Sequence, residues 1–183
     1  MKHLFTIVTV AAFSLFLATQ SMAADALPPD QQAKVTAKLK TLQALSTDPK
    51  VVAAVKEYNA SPSAEAKGMT NDKWKGLTIM DPFVRSLAKN ALGQYLNSKK
   101  DDSVTEIFVS GKDGGKVAFL AKTSGWNHTG KPKHDVPMTG KTWQGAPETD
   151  ESTGKQQVQV AIPVLDGATP IGSIVIGLGL SKL

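Results

Sequence analysis

No cysteine occurs in the 183 residues. Disulfides, thiol catalysis and cysteine-ligated metals are therefore excluded, and the fold must rest on its apolar core alone. Aromatic residues are scarce, at 6% of the chain. Basic residues exceed acidic ones, 21 to 16, yet Lys and Arg are dispersed and form no block. Without a basic block or basic residues interleaved with aromatics, nucleic-acid binding is not expected. No repeat at solenoid spacing is present. There is no Gly-x-Ser-x-Gly elbow and no His-Glu-x-x-His. Ser152 lies in a turn-forming segment with nothing to place a base beside it. Neither an enzyme nor a cofactor is expected.

Long apolar runs are also lacking, with one exception. Lys2 and His3 precede an apolar stretch from Leu4 to Leu17, followed by Ser21-Met22-Ala23. This is the layout of a secretory signal peptide over residues 1–23. The run is short for a membrane span, although retention as an N-terminal anchor is the alternative. Cleavage near Ala23–Ala24 would leave a single periplasmic domain over residues 24–183 without stable membrane insertion. The terminal Ser181-Lys182-Leu183 matches a peroxisomal address, which the leader contradicts.

The first half of that domain reads as helix. Val35, Leu39, Leu42 and Leu45 recur at spacings of three and four, which makes one apolar stripe. Asp48-Pro49 and Asp81-Pro82 each pair an N-cap residue with a proline suited to the first helical turn. The second of these opens one helix carrying Phe83, Leu87, Ala91 and Tyr95 and ending near Asn97. A short helix around Trp74 is expected between them. Asn59–Gly68 reads as a loop.

The second half reads as strands. Val104–Ser110 and Lys116–Lys122 flank Gly111-Lys112-Asp113-Gly114-Gly115, a strong turn signal. A third strand is expected over Lys141–Ala146. Val158, Val160, Ile162 and Val164 then alternate with Gln157, Gln159, Ala161 and Pro163, as in a strand with one buried face. After Asp166-Gly167, Ile174, Ile176 and Leu178 alternate with Ser173, Val175, Gly177 and Gly179. The small second face implies that a helix or a ligand lies close against it. Helices followed by hairpin-ordered strands argue an α+β fold with an antiparallel sheet.

The succession of TEIFVSGKDG, VAFLAKTS, a Trp-containing loop and PETDESTGKQQVQVAIPVLDGATPIGSIVIGL resembles a single Cache domain, the PAS-like extracytoplasmic sensor also called PDC. The resemblance covers roughly Gln32 to Leu180. It implies a five-stranded antiparallel sheet with a long N-terminal helix on one face and a small-molecule pocket on the other. It also implies a sensory role in signal transduction or chemotaxis, through a membrane receptor or kinase partner. Where standalone exported relatives carry an acidic segment after the second strand, this chain has Gly125-Trp126-Asn127-His128-Thr129-Gly130-Lys131-Pro132-Lys133-His134.

That segment holds the leading candidates for ligand contact. Trp126, His128, Lys131, Lys133 and His134 combine an aromatic wall with cationic groups, which suits a small organic carboxylate. The alternative is a Trp126 anchor with the other four solvated. Asp150 either faces the pocket, which would favour an amino acid, or caps its own turn. Trp143 floors the pocket or belongs to the core. Arg85 clamps a carboxylate in bidentate fashion or lies on the surface. His128, His134 and Asp135 match no established metal spacing. The competing reading of the whole is an exported interaction scaffold without a ligand, with an unrecognised enzyme behind it.

Overall fold

The computed structural model describes residues 26–149, 154 and 156–183, so the leader over residues 1–23 and Asp150 lie outside the described residues. The N-terminal half is a succession of short helices, most of them started by a side-chain cap. Helix α1 (Pro29–Leu42) opens on a proline and buries Val35 and Leu42. A 3-10 turn, Gln43–Thr47, follows and buries Leu45. Asp48 then caps α2 (Pro49–Ala60), its carboxylate accepting from the backbone N–H of Lys50 at 2.9 Å. The segment expected to be a loop contains α3 (Ala64–Lys67), capped by Ser63. Helix α4 (Asn71–Gly76) buries Trp74.

The single helix expected after Asp81 is two helices, α5 (Pro82–Lys89) and α6 (Ala91–Lys99). The break is at Asn90, whose backbone is extended. Its side-chain oxygen accepts from Gly93 N at 2.7 Å, so the residue caps a new helix instead of continuing the old one.

Five strands form one antiparallel sheet: β1 (Val104–Gly111), β2 (Lys116–Phe119), β3 (Trp143–Thr149), β4 (Gln156–Asp166) and β5 (Thr169–Gly179). The spatial order is β2-β1-β5-β4-β3. Strand β2 ends before Lys122, and β3 begins at Trp143 and runs to Thr149. Between β2 and β3 lies the four-residue helix α7 (Pro132–Asp135).

One sheet face carries Ile107, Val109, Val160, Ile162, Ile174 and Ile176, which pack with Val35 of α1, Val51 and Val55 of α2 and Leu96 of α6. The opposite face carries Phe108, Phe119, Ala161 and Val175, packed with Trp74, Val84, Leu87 and Trp126. The expectation of one buried face is therefore corrected for β4, whereas the small second face of β5 is covered, as its composition implied. Residues 157–164 and 172–179 are all buried, because helices and the segment after β2 cover the second face. Polar side chains at Gln157, Gln159 and Ser173 are enclosed with the apolar ones.

Candidate functional site

The covered second face brings together two lysines and two histidines, with Lys116, His128 and His134 buried and Lys133 half-buried. Strand register sets Lys116 of β2 opposite Ser110 of β1. The Lys116 side chain is fully buried. Its Nζ lies 2.8 Å from His128 Nδ1, 3.4 Å from Ser110 Oγ and 4.4 Å from the centre of the Phe108 ring.

His128 reaches that position because the loop before it is pinned. Asn71 accepts from the backbone N–H of Trp126 at 2.8 Å and of Asn127 at 2.9 Å. The Trp126 ring lies 5.4 Å from Trp74 and 5.5 Å from Phe83. The imidazole then tilts over Phe108, ring centres 5.0 Å apart. Next in sequence, α7 turns two further groups to the same face. His134 Nδ1 is 2.8 Å from Ser173 Oγ of β5. Lys133 Nζ donates to Gln159 Oε1 of β4 at 2.8 Å and stands 6.0 Å from the Phe108 centroid. Gln159 in turn donates to Glu106 of β1. Beside it, Gln157 accepts from Thr105 at 2.5 Å and donates to Glu148 at 3.1 Å.

Burial disfavours charge here. It pushes the Lys116 ammonium well below its ordinary range, and the neighbouring Lys133 pushes the same way. Burial and then Lys116 push His128 down to about 2. Lys133 is lowered by burial, against the pull of Glu106 and Glu148. His134 is lowered by burial, against a backbone hydrogen bond with Lys112 and the charge of Asp135. Two ammonium groups thus share one aromatic face in a site that resists their charge. An anion placed among them would relieve both penalties at once.

Of the residues singled out from the sequence, Trp126, His128, Lys133 and His134 come together around this face. Trp126 acts as the anchor of the loop. Trp143, paired with Ala161, is half-buried against the aromatic cluster. Lys131 is exposed and bonds through its backbone N–H to His128 O. Arg85 is exposed on α5. Phe108, Lys116, Gln159, Ser173 and Glu106 were not anticipated. Gln157 and Gln159 alternating with valines carried a trace of this polar face, but they read equally well as solvent-facing. Among the described residues, no cluster of His, Asp and Glu could hold a metal ion.

No protein-family model and no curated protein matches the chain. Several solved sensor domains do. The sensor domain of the V. cholerae histidine kinase DctB is similar over 83% of this chain and 53% of its own, with 18% identity and a TM-score of 0.48. The ligand-binding domain of the Pseudomonas fluorescens chemoreceptor CtaA, in complex with L-alanine, matches 84% of this chain and 56% of its own at 15% identity and a TM-score of 0.44. That of Campylobacter jejuni Tlp3, in complex with 4-methylisoleucine, matches 84% and 56% at 8% identity and 0.43. The chain spans just over half the length of each. Its five-stranded antiparallel sheet with accompanying helices is the architecture that the resemblance to a single Cache domain implied.

Proposed function

We propose that residues 24–183 form a periplasmic sensor module, exported through the N-terminal leader, that binds a small organic anion and acts through a separate receptor or kinase. The observation that carries this reading is the convergence of Lys116, Lys133 and His128 on Phe108 inside the fold. Burying charge costs stability, and a site in which an added carboxylate offsets the charges of Lys116 and Lys133 gives that cost a purpose. Glu106, joined to Lys133 through Gln159, puts a carboxylate near the cations. An amino acid fits such a pair of signs as well as a plain carboxylate does. Asp150 takes no part in this reasoning.

The test is a thermal-shift screen of the mature chain against organic acids, amino acids, amines and neutral solutes. A ligand specific to the native state at 100 times its dissociation constant stabilises by about 2.7 kcal/mol. Organic acids or amino acids should raise the melting temperature, and Lys133→Met should abolish the response. Shifts from only neutral or cationic compounds would overturn the anion reading. No shift at all would favour the interaction-scaffold reading.

A further inference from the structure

The buried cluster meets a cleft that its own residues do not explain. This cleft, about 570 Å³, lies between α2, α3, α5 and α6 at the β2 edge of the sheet. Its size is that of a small-molecule pocket. Phe83, Leu87 and Leu92 give it apolar walls. Lys116 lines it and is the one cation to do so among the described residues. The other charged lining residues are Glu57 and Glu65, both solvent-exposed. Charge is therefore divided, with the fully buried Lys116 in the inner wall and two carboxylates where the cleft meets water. The remaining polar groups are mostly engaged in the fold. Asn90 bonds Gly93 and Val117, Ser86 donates to Phe83 O, and Tyr58 donates to Asp113.

We infer that this cleft holds the body of the ligand, that Lys116 takes its carboxylate, and that Glu57 and Glu65 exclude a second one. The inference rests on the anion-binding reading above and deepens it. The Lys116 ammonium has three N–H donors, and its Ser110 contact, at 3.4 Å, is long. A carboxylate arriving from the cleft replaces that weak contact with a charge-assisted one. The ligand's apolar chain then lies along Phe83, Leu87 and Leu92. A second carboxylate at its far end is repelled by the two glutamates, whereas a methyl is not and an ammonium is attracted. The class selected is a monocarboxylate with an apolar body, with or without a distal amine.

Titration calorimetry on the mature chain tests this, with straight-chain monocarboxylates from acetate to hexanoate and the dicarboxylates succinate and glutarate as probes. At least one monocarboxylate should bind at least tenfold more tightly than either dicarboxylate. The double variant Glu57→Lys/Glu65→Lys should narrow that gap. Ser86→Trp fills the cleft from an exposed helix position and leaves the core untouched, so it should weaken binding at least tenfold with an unchanged melting temperature. Ala91→Trp repeats the test from an exposed position on α6. Carboxylate binding that both tryptophan variants spare and Lys133→Met abolishes would overturn the cleft while leaving the buried-cluster reading intact. Dicarboxylates binding as tightly as monocarboxylates would overturn the role of the glutamates. Failure of every one of these carboxylates to bind the unmodified chain, with no response to amino acids in the thermal-shift screen, would overturn both readings.

Discussion

The Lys116 ammonium and the His128 imidazole lie 2.8 Å apart with almost no exposure to solvent. A cationic Lys116 donates to the His128 Nδ1 lone pair, which places the imidazole proton on Nε2 and keeps the ring neutral. His128 is correspondingly pushed down to about 2. The unfolded chain binds a proton at this residue below about pH 6.5, whereas the folded chain does not. Stability should therefore rise with pH between about 2 and 6.5, and fall by at most about 1.4 kcal/mol per unit for this group as the solution is acidified. His134 acts in the same direction. The lowered values of Lys116 and Lys133 extend the effect upward, since the unfolded chain keeps those protons up to about pH 10.5. Urea melts at pH 7.5 and pH 5 should show the loss. Imidazole resonances should show His128 neutral throughout, and a midpoint near 6.5 would place the ring in water.

Lys116→Met separates a binding role from a structural one. The substitution removes a buried charge, which is favourable, and leaves His128 Nδ1 without its donor, which is not. These effects oppose one another, so the net change should stay within about 1–2 kcal/mol. The ligand-induced shift in melting temperature should vanish. A loss of several kcal/mol together with a retained ligand response would make Lys116 a structural residue.

Asn90 does two things with one side chain. It caps α6 through Gly93 N and donates to Val117 O of β2, an edge strand, at 2.9 Å. Asn90→Ala should cost about 1–3 kcal/mol in a denaturant melt. It also bares an edge carbonyl, so light scattering should reveal greater self-association than in the unsubstituted chain. Asn90→Asp keeps the cap and removes the donor, and should recover only the cap's share of the stability while the self-association persists.

Much of the sheet is legible in the sequence because period-2 alternation is a local property. Ile174, Ile176 and Leu178 face the helices as their spacing requires. The Asn90 break is not legible, because Phe83, Leu87, Ala91 and Tyr95 keep a spacing of four straight through it. The site was half legible. The grouping of Trp126, His128, Lys133 and His134 within nine residues drew attention to the right loop. Its counterpart, Lys116, looks like the solvated flank of a strand. Its burial depends on that loop folding back over β2 and β1, and sequence spacing does not encode such a contact. Arg85 illustrates the reverse, since a suggestive charge on a well-placed helix lies on the exposed side of α5.

Strand β5 offers a direct measure of how closed the second face is. Ile174, Val175 and Ile176 follow one another on alternate faces, and all three are completely buried. Ile176→Ala, and likewise Ile162→Ala on β4, should cost about 2–5 kcal/mol through lost burial and the cavity left behind. With only one covered face, Val175→Ala would cost almost nothing. With both faces packed, it removes two buried carbon groups beneath the aromatic cluster and should cost about 2 kcal/mol. Denaturant melts of the three variants can therefore distinguish the two arrangements. A negligible effect at Val175 beside large effects at Ile162 and Ile176 would mean that the second face is open to water, and Lys116 would then be an ordinary surface lysine. Small effects at both isoleucines with a large one at Val175 would mean that the strand register is displaced by one residue, since such a slip exchanges the two faces.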